Sequence, residues 1–336
     1  MALSGSPEAR AGARKAFLDG AGWGDAPVEA LPGDASFRRY FRLGGEQPAL
    51  LMDAPPDKED VRPYIRIARH LVGMGFSAPA ILAADEDQGF CVIEDFGDAT
   101  YTRLLAAGHD ERKLYDLAVD VLAALHGTEN ASAIDLPTYD EQRLLDEAGL
   151  LVDWYLPALT GEDTPAGVRE SYLDAWRSVL QALPPGPETL VLRDYHVDNL
   201  MLIDGREGLS SCGLLDFQDA VIGHPAYDLM SLLEDARRDI DDDLRDHLRQ
   251  RYAAARPEAA SPDFEQWFTV LAAQRHAKVI GIFTRLKVRD GKPVYLPHIP
   301  RVLGLLRRAL RHPALAPVAG WCTDHMPGSD RMPEFR

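Results

Sequence analysis

The fold of this chain is decided by one short segment, Leu192-Arg193-Asp194-Tyr195-His196-Val197-Asp198-Asn199. It lies between two apolar runs, Leu190 to Leu192 and Leu200 to Ile203, which are typical of short buried strands. The segment therefore predicts a loop between strands that carries an Asp and an Asn five residues apart. A carboxylate can orient the proton of an attacking hydroxyl, and an Asn carbonyl oxygen is a ligand of the kind that Mg²⁺ prefers.

A hairpin after this loop supplies a third polar group. Beyond a turn at Asp204-Gly205, the apolar run from Gly213 to Phe217 predicts an antiparallel partner for the strand that starts at Leu200. Asp216 would then return beside Asn199, so that a carboxylate and an amide converge on one metal ion. The spacing leaves open an alternative in which these side chains only form Asx turns or end a strand.

Composition limits the class of protein. A length of 336 residues favours two domains, and a formal net charge of −17 argues against binding to nucleic acid or anionic membranes. No apolar run approaches the roughly 18 residues of a membrane span, and the first residues lack a secretory signal, so a soluble, cytoplasmic protein is expected. The three cysteines are far apart and predict neither disulfides nor a zinc site, and no protein partner is evident.

The character of the sequence changes near Gly97. Before it, short apolar runs broken by Gly, Pro and Asp predict strands at Ala49 to Met52 and Phe90 to Phe96. A helix between them is expected to begin at an N-cap, Asp57, and to bury the stripe Val61, Ile65, Ala68 and Val72.

After Gly97, apolar residues recur mainly at helical spacing. The stripes are Leu114, Leu117, Val121 and Leu125, then Leu144, Ala148 and Leu151, then Tyr172, Trp176, Val179 and Leu183. We therefore predict an α+β fold with a small β-rich lobe, residues 1–97, and a larger, mainly helical lobe, residues 98–336.

Taken together, these motifs resemble the aminoglycoside phosphotransferase and choline kinase superfamily, which has a two-lobed protein-kinase-like fold. Within it the chain is most similar to kinases that phosphorylate N-acetylmuramate and N-acetylglucosamine at the anomeric 1-hydroxyl in peptidoglycan recycling. The segments that carry the resemblance are Gly33 to Arg42, Met52 to Pro56, Leu192 to Asn199, Leu215 to Asp219, Gly223 to Leu229, Gln274 to His276 and Gly281 to Leu286.

The resemblance implies a function for several of these residues, with ATP and Mg²⁺ as cofactors. Asp194 would be the catalytic base, Asn199 and Asp216 the metal ligands, and Glu94, Asp95 and Phe96 the hinge that meets adenine. Arg193, His196 and Asp228 would order the catalytic loop. Residues with a proposed place in the acceptor pocket, each of which is equally open to a purely structural role, are Gln218, Asp219, His224 and Arg275.

Two departures from the family pattern concern the loop and the phosphates. Leu192-Arg193 stands where the superfamily commonly has His-Gly, and no Lys follows the strand Ala49 to Met52, where one normally contacts ATP. We predict that the preceding hairpin neutralises the phosphates instead, through backbone groups and one arginine. Its candidate residues, whose arginines could equally be exposed edge charges, are Gly33, Ser36, Phe37, Arg38 and Arg42.

The expected activity is therefore transfer of phosphate from ATP to an amino sugar. A second hypothesis keeps the fold and replaces the acceptor by an aminoglycoside or another small molecule. A third, suggested by the missing Lys, is a nucleotide-binding pseudokinase that acts as a regulatory module.

Overall fold

An antiparallel five-stranded sheet forms the amino-terminal part of the fold. The computed structural model describes residues 7–32, 37–45 and 48–326. The strands follow the order β1-β2-β3-β5-β4, so β4 is an edge strand and β3 is central. They are β1 (Val28–Ala30), β2 (Arg39–Leu43), β3 (Ala49–Asp53), β4 (Ile81–Asp85) and β5 (Phe90–Glu94).

Four more strands form two short antiparallel pairs. They are β6 (Thr189–Val191), β7 (Leu200–Leu202), β8 (Cys212–Leu214) and β9 (Val221–Gly223). β7 pairs with β8 in the register Leu200 to Leu214, which confirms the predicted hairpin, and Gly205 takes the positive φ of 74° that its turn requires. β6 pairs with β9, a three-residue strand that the sequence did not predict.

Helices make up most of the remaining chain. Among the described residues, none of them has both the length and the apolar character that crossing a bilayer requires. They are α1 (Pro7–Gly20), α2 (Arg62–Gly73), α3 (Tyr101–Ala106), α4 (Glu111–Gly127), α5 (Glu141–Leu150), α6 (Leu156–Thr160), α7 (Ala166–Gln181), α8 (Ala226–Leu233), α9 (Asp242–Ala255), α10 (Pro262–Val288), α11 (Ile299–Ala309) and α12 (Ala316–His325).

The described residues divide into two compact units. The first contains those of Met1–Val121 and Val197–Ala220, and the second those of Leu122–His196 and Val221–Arg336. The hairpin β7–β8 thus belongs to the same unit as the five-stranded sheet. The lobe boundary after residue 97 stays a prediction.

Each unit has its own apolar core. In the first, side chains of α1 and of the sheet strands pack together around Leu51, Phe90 and Val92, which are almost completely buried. In the second, Trp176 of α7 and Tyr155 are completely buried among the helices. A sheet followed by helices confirms the predicted α+β fold.

The prediction for α2 was wrong in two details. Its N-cap is Val61, without a side-chain hydrogen bond, whereas the sequence suggested Asp57; Asp60 accepts from the N–H of Arg62 instead. Val72 is 43% exposed, and Ile67 and Leu71 are buried in its place. Because the helix begins five residues after Asp57, the carboxylate cannot reach its first turn.

Candidate active site

The loop that follows β6 has a strained backbone at the predicted base. Arg193, directly before Asp194, has a φ of 69°, a left-handed conformation that residues other than glycine seldom adopt. The carboxylate of Asp228 on α8 accepts hydrogen bonds from the N–H groups of Leu192, at 2.6 Å, and Arg193, at 2.8 Å. Asp228 therefore holds the loop in the conformation that presents Asp194.

Two further buried side chains lie behind Asp228. His126 of α4 has its Nε2 3.7 Å from Oδ2 of Asp228, and its Nδ1 lies 2.8 Å from the hydroxyl of Tyr252. Burial raises the pKa of the Tyr252 hydroxyl, which therefore stays protonated and can donate to His126. His126 thus makes a polar contact with the residue that holds the loop.

Asp194 is kept ionised by cations. Burial opposes the charge of its carboxyl, but Arg275 and Lys278 of α10 outweigh this and lower the pKa of Asp194 below its ordinary value. Nη2 of Arg275 lies 3.4 Å from Oδ1 of Asp194, and Nη1 donates to the carbonyl of Arg193 at 3.0 Å. Arg275, predicted as an acceptor-pocket residue, thus contacts the catalytic loop itself.

A buried carboxylate, Glu147, also contacts the charged residues around Asp194, and the sequence analysis did not identify it. Glu147 of α5 pairs with Arg193 and lies 3.0 Å from Nζ of Lys278, and the hydroxyl of Tyr139 donates to it. Lys278 and Arg193 outweigh burial and lower the pKa of Glu147. We name Asp194, Arg193, Glu147, Arg275 and Lys278 the Asp194 cluster.

Two histidines predicted near the site are buried and lose their positive charge readily. Burial lowers the pKa of His196, in the loop itself, although Asp235 acts in the opposite direction. His224 stacks on Trp267 with ring centroids 4.5 Å apart, and burial lowers its pKa to about 3. These contacts place His224 in the packing between β9 and α10, and its role in acceptor binding remains only a prediction.

The two predicted metal ligands lie together in the first unit. Nδ2 of Asn199 is 3.3 Å from Oδ2 of Asp216, and the N–H of Leu215 donates to the carbonyl of Asn199 at 3.0 Å. Asp216 also has a positive φ, 56°, directly after the hairpin. Strained backbone at a non-glycine residue therefore occurs at Arg193, directly before the predicted base, and at the predicted metal ligand Asp216.

The donors of this pair suit a magnesium ion. An amide and a carboxylate provide hard oxygen ligands, and Mg²⁺ in phosphate-transferring sites takes one or two such ligands and completes its shell with water and phosphate. Asp216 is exposed enough to bind a ligand, with 45% of its side chain accessible. Within residues 7–32, 37–45 and 48–326 there is no larger acidic or histidine cluster arranged for a metal.

Several other predicted residues surround Asp216. Gln218 donates to Oδ1 of Asp216 at 2.9 Å, and Asp219 is exposed beside it. Nη2 of Arg38 lies 3.8 Å from Oδ1 of Asp216, and Nε of Arg38 lies 4.0 Å from Glu59. We name Asp216, Asn199, Gln218, Arg38 and Glu59 the Asp216 cluster. Glu59, which precedes α2, was not predicted from the sequence.

Of the other residues predicted to bind the nucleotide, Phe37 and Arg42 lie next to and within β2. Phe37 is 62% exposed, whereas Gly33 and Ser36 lie outside the described residues. Arg42 of β2 pairs with Asp95 at 2.6 Å and with Asp98 at 3.1 Å.

The predicted hinge continues from β5. Glu94 ends the strand and pairs with Arg206, and Phe96 packs on Met201 and Ile203. A Cβ at Gly213 would lie 2.8 Å from the Phe96 ring, so this packing depends on a glycine. The backbone at the end of β5 is thus held against the hairpin that carries Asp216.

Solved structures that are similar to this chain include a kinase-family protein and an aminoglycoside phosphotransferase. A choline/ethanolamine kinase family protein from Mesorhizobium loti is 15% identical, with a TM-score of 0.59 over 94% of this chain and 98% of that one. The GDP complex of aminoglycoside 2'-phosphotransferase-IIIa is 16% identical, with a TM-score of 0.60 over 88% of this chain and 97% of that one. The fold is thus the two-lobed, protein-kinase-like fold of these enzymes.

Sequence comparison identifies the family. The profile described as "Phosphotransferase enzyme family" matches residues 27–263, and the chain belongs to this family. The N-acetylmuramate/N-acetylglucosamine kinase of Caulobacter vibrioides is 37% identical over 98% of this chain and 100% of its own length. The protein of the same name from Pseudomonas aeruginosa is 38% identical over 88% of each chain. The predicted family and the enzyme class, a phosphotransferase, are confirmed.

Proposed function

We propose that this protein is an ATP-dependent sugar kinase that phosphorylates the anomeric 1-hydroxyl of N-acetylmuramate, N-acetylglucosamine or both. The proposal is supported by relatives of that name along nearly the whole chain. It places the enzyme in the cytoplasm, where it would return cell-wall sugars to metabolism in peptidoglycan recycling.

The observation that carries the proposal is the ionised carboxylate of Asp194, which lies on a loop whose backbone is held by Asp228. Because Arg275 and Lys278 keep the pKa of Asp194 low, the carboxylate is available to accept a hydrogen bond from a sugar hydroxyl and then its proton. An anomeric hydroxyl is more acidic than an ordinary alcohol, so a carboxylate of low basicity suits this acceptor. Asp228 fixes the direction in which Asp194 points.

Asn199 and Asp216 are proposed to hold Mg²⁺, which when bound neutralises charge on the phosphate oxygens of ATP. The protein contributes orientation and charge, because phosphoryl transfer requires little covalent chemistry from its catalyst. Replacing Asp216 by Asn should therefore raise the Mg²⁺ concentration that gives half-maximal rate and lower the maximal rate.

The charge of the Asp194 cluster favours a sugar acid over an aminoglycoside. Three cations, Arg193, Arg275 and Lys278, accompany two carboxylates, Asp194 and Glu147, so this group has an excess of positive charge. A polycationic antibiotic would be repelled there, whereas the carboxylate of N-acetylmuramate would be attracted.

The decisive experiment measures ATP consumption with a panel of acceptors at saturating Mg²⁺. We expect turnover with N-acetylmuramate or N-acetylglucosamine and none with kanamycin or gentamicin. The 1-O-methyl glycosides serve as matched controls, because they lack only the anomeric hydroxyl. Turnover of a methyl glycoside would contradict the anomeric assignment, and turnover of the antibiotics alone would favour the aminoglycoside hypothesis. ATP binding without any turnover would favour a regulatory module.

A further inference from the structure

The end of β3, where a phosphate-binding Lys is missing, carries the opposite charge. Asp53 is 2% exposed, and its carboxylate lies 2.8 Å from Nη2 of Arg10 and 3.4 Å from Nη1 of Arg14, both on α1. A buried carboxylate with two arginines is a structural ion pair and offers no cation to a nucleotide. The positive charge for phosphate must therefore come from another element of this unit.

Of the two candidate arginines, Arg42 is already committed to other groups. Its guanidinium donates to Asp95 at 2.6 Å and to Asp98 at 3.1 Å, both within hydrogen-bond range. The hydrogen bond with Arg42 lowers the pKa of Asp98, so this carboxylate remains charged and paired. Two carboxylates thus balance the single charge of Arg42 at the end of β5.

Arg38 has a different environment. Its side chain is only 11% exposed and faces the proposed metal ligand: its guanidinium lies 3.8 Å from Asp216 and 4.0 Å from Glu59, and the charge of Asp219 also acts on it. Glu59 also accepts the backbone N–H of Phe37 at 3.4 Å. Glu59 therefore lies within ion-pair distance of the guanidinium of Arg38 and also contacts the backbone that precedes it.

We propose that Arg38 is the phosphate-binding cation of this enzyme and that Glu59 is the residue that positions it. The guanidinium lies beside Asp216, one of the two proposed magnesium ligands, so phosphate oxygens bound to that metal would lie within its reach. A planar guanidinium can bind two phosphate oxygens at once, which a Lys ammonium cannot. Arg38, positioned by Glu59, thereby neutralises the phosphates in place of the Lys that is missing after β3. This inference rests on the proposed use of ATP.

Calorimetric titration of the full chain with Mg²⁺ and a series of adenosine, AMP, ADP and ATP tests the assignment. Replacing Arg38 by Ala should weaken ADP and ATP binding by about 10- to 100-fold, the effect of losing a charge-assisted hydrogen bond. Adenosine and AMP should bind as they do to the unchanged protein. Glu59→Gln should weaken ADP and ATP in the same direction but less, and Arg38→Lys should recover part of the affinity.

Arg39 provides the matched control, since it is exposed in the adjacent position of β2. Arg39→Ala should leave all four affinities unchanged. An equal loss for adenosine and ATP in Arg38→Ala would show a general effect on the fold, and unchanged ATP binding would show that Arg38 does not contact phosphate; either result overturns the proposal. No sugar is present in this titration, so a wrong acceptor assignment would leave its outcome unaffected.

Discussion

The Asp194 cluster and the Asp216 cluster contain similar residue types but differ in the distances between their oppositely charged groups. In the former, Lys278 contacts Glu147 at 3.0 Å, and Arg193 pairs with the same carboxylate. In the latter, the guanidinium of Arg38 lies 3.8 Å from Asp216 and 4.0 Å from Glu59. A proton acceptor has to be oriented and charged before its substrate arrives, whereas a metal and phosphate site needs groups that can take new ligands. We expect substitutions in the two clusters to have different consequences.

The largest effect is expected at the proposed base. Asp194→Asn keeps the size of the side chain but removes proton acceptance, and should lower kcat about 10³-fold, within the range of general-base catalysis. The variant should still fold, because Asn keeps the shape of the side chain, but its thermal midpoint should fall moderately, since Arg275 loses the charge of Asp194. Asp163→Asn, in an exposed loop, is the matched control. Near-normal turnover of Asp194→Asn would refute the assigned mechanism.

Glu147→Gln should reduce stability more than any substitution at the Asp216 cluster. It leaves the buried cations Arg193 and Lys278 without their counter-charge, which costs about 3 kcal/mol in the free energy of unfolding. Chemical denaturation measures this change, and Glu170→Gln, exposed on α7, is its control. A loss no larger than that of the control would show that the Asp194 cluster is not a stabilising network.

The pH dependence of stability follows from the same carboxylates. The folded-state pKa values of Asp194 and Glu147 lie below their unfolded values of about 3.9 and 4.3. Their contribution to stability is therefore complete above about pH 5 and is lost as the pH falls through the folded values. The difference in thermal midpoint between the unchanged protein and Glu147→Gln, measured from pH 7 to pH 3, should become smaller towards the acidic end. A constant difference across this range would contradict the lowered pKa of Glu147.

The smallest effect is expected where an ion pair faces water. Asp98 pairs with Arg42 but is 63% exposed, so Asp98→Asn should lower the free energy of unfolding by at most about 0.5 kcal/mol. Raising the salt concentration should remove even this difference. A loss above about 1 kcal/mol would indicate that the pair is more shielded from water than its exposure implies.

Local spacing predicted the elements that carry the site. The runs Leu200 to Ile203 and Gly213 to Phe217 predict the antiparallel pair that brings Asp216 back to Asn199. The connection between β7 and β8 is nine residues long, so the turn at Asp204-Gly205 does not by itself fix the register. The family motifs likewise placed Asp228 near the loop. The three-residue strand β9 was missed, since so short a run has no recognisable period.

The partners of the key residues could not be predicted in the same way. Glu147 and Lys278 reach Arg193 from α5 and α10, far apart along the chain, and nothing in their own neighbourhoods marks them as buried ions. Glu59 likewise contacts residues more than 20 positions away, Phe37 and Arg38, and no local pattern marks that contact. Long-range ion pairs depend on the packing of whole helices, which a linear pattern does not record.

The ion pairs between α1 and Asp53 carry an evolutionary consequence. The family profile begins at residue 27, after this helix, yet the buried carboxylate at the end of β3 depends on Arg10 and Arg14 within it. A related protein without the helix would have a buried carboxylate at Asp53 with no counter-charge. A related protein with Lys in place of Asp53 would have three positive charges close together, which repel one another. We therefore expect α1, with its two arginines, to occur in relatives that have an acidic residue at the end of β3. Relatives with a Lys at that position should not need Arg10 or Arg14.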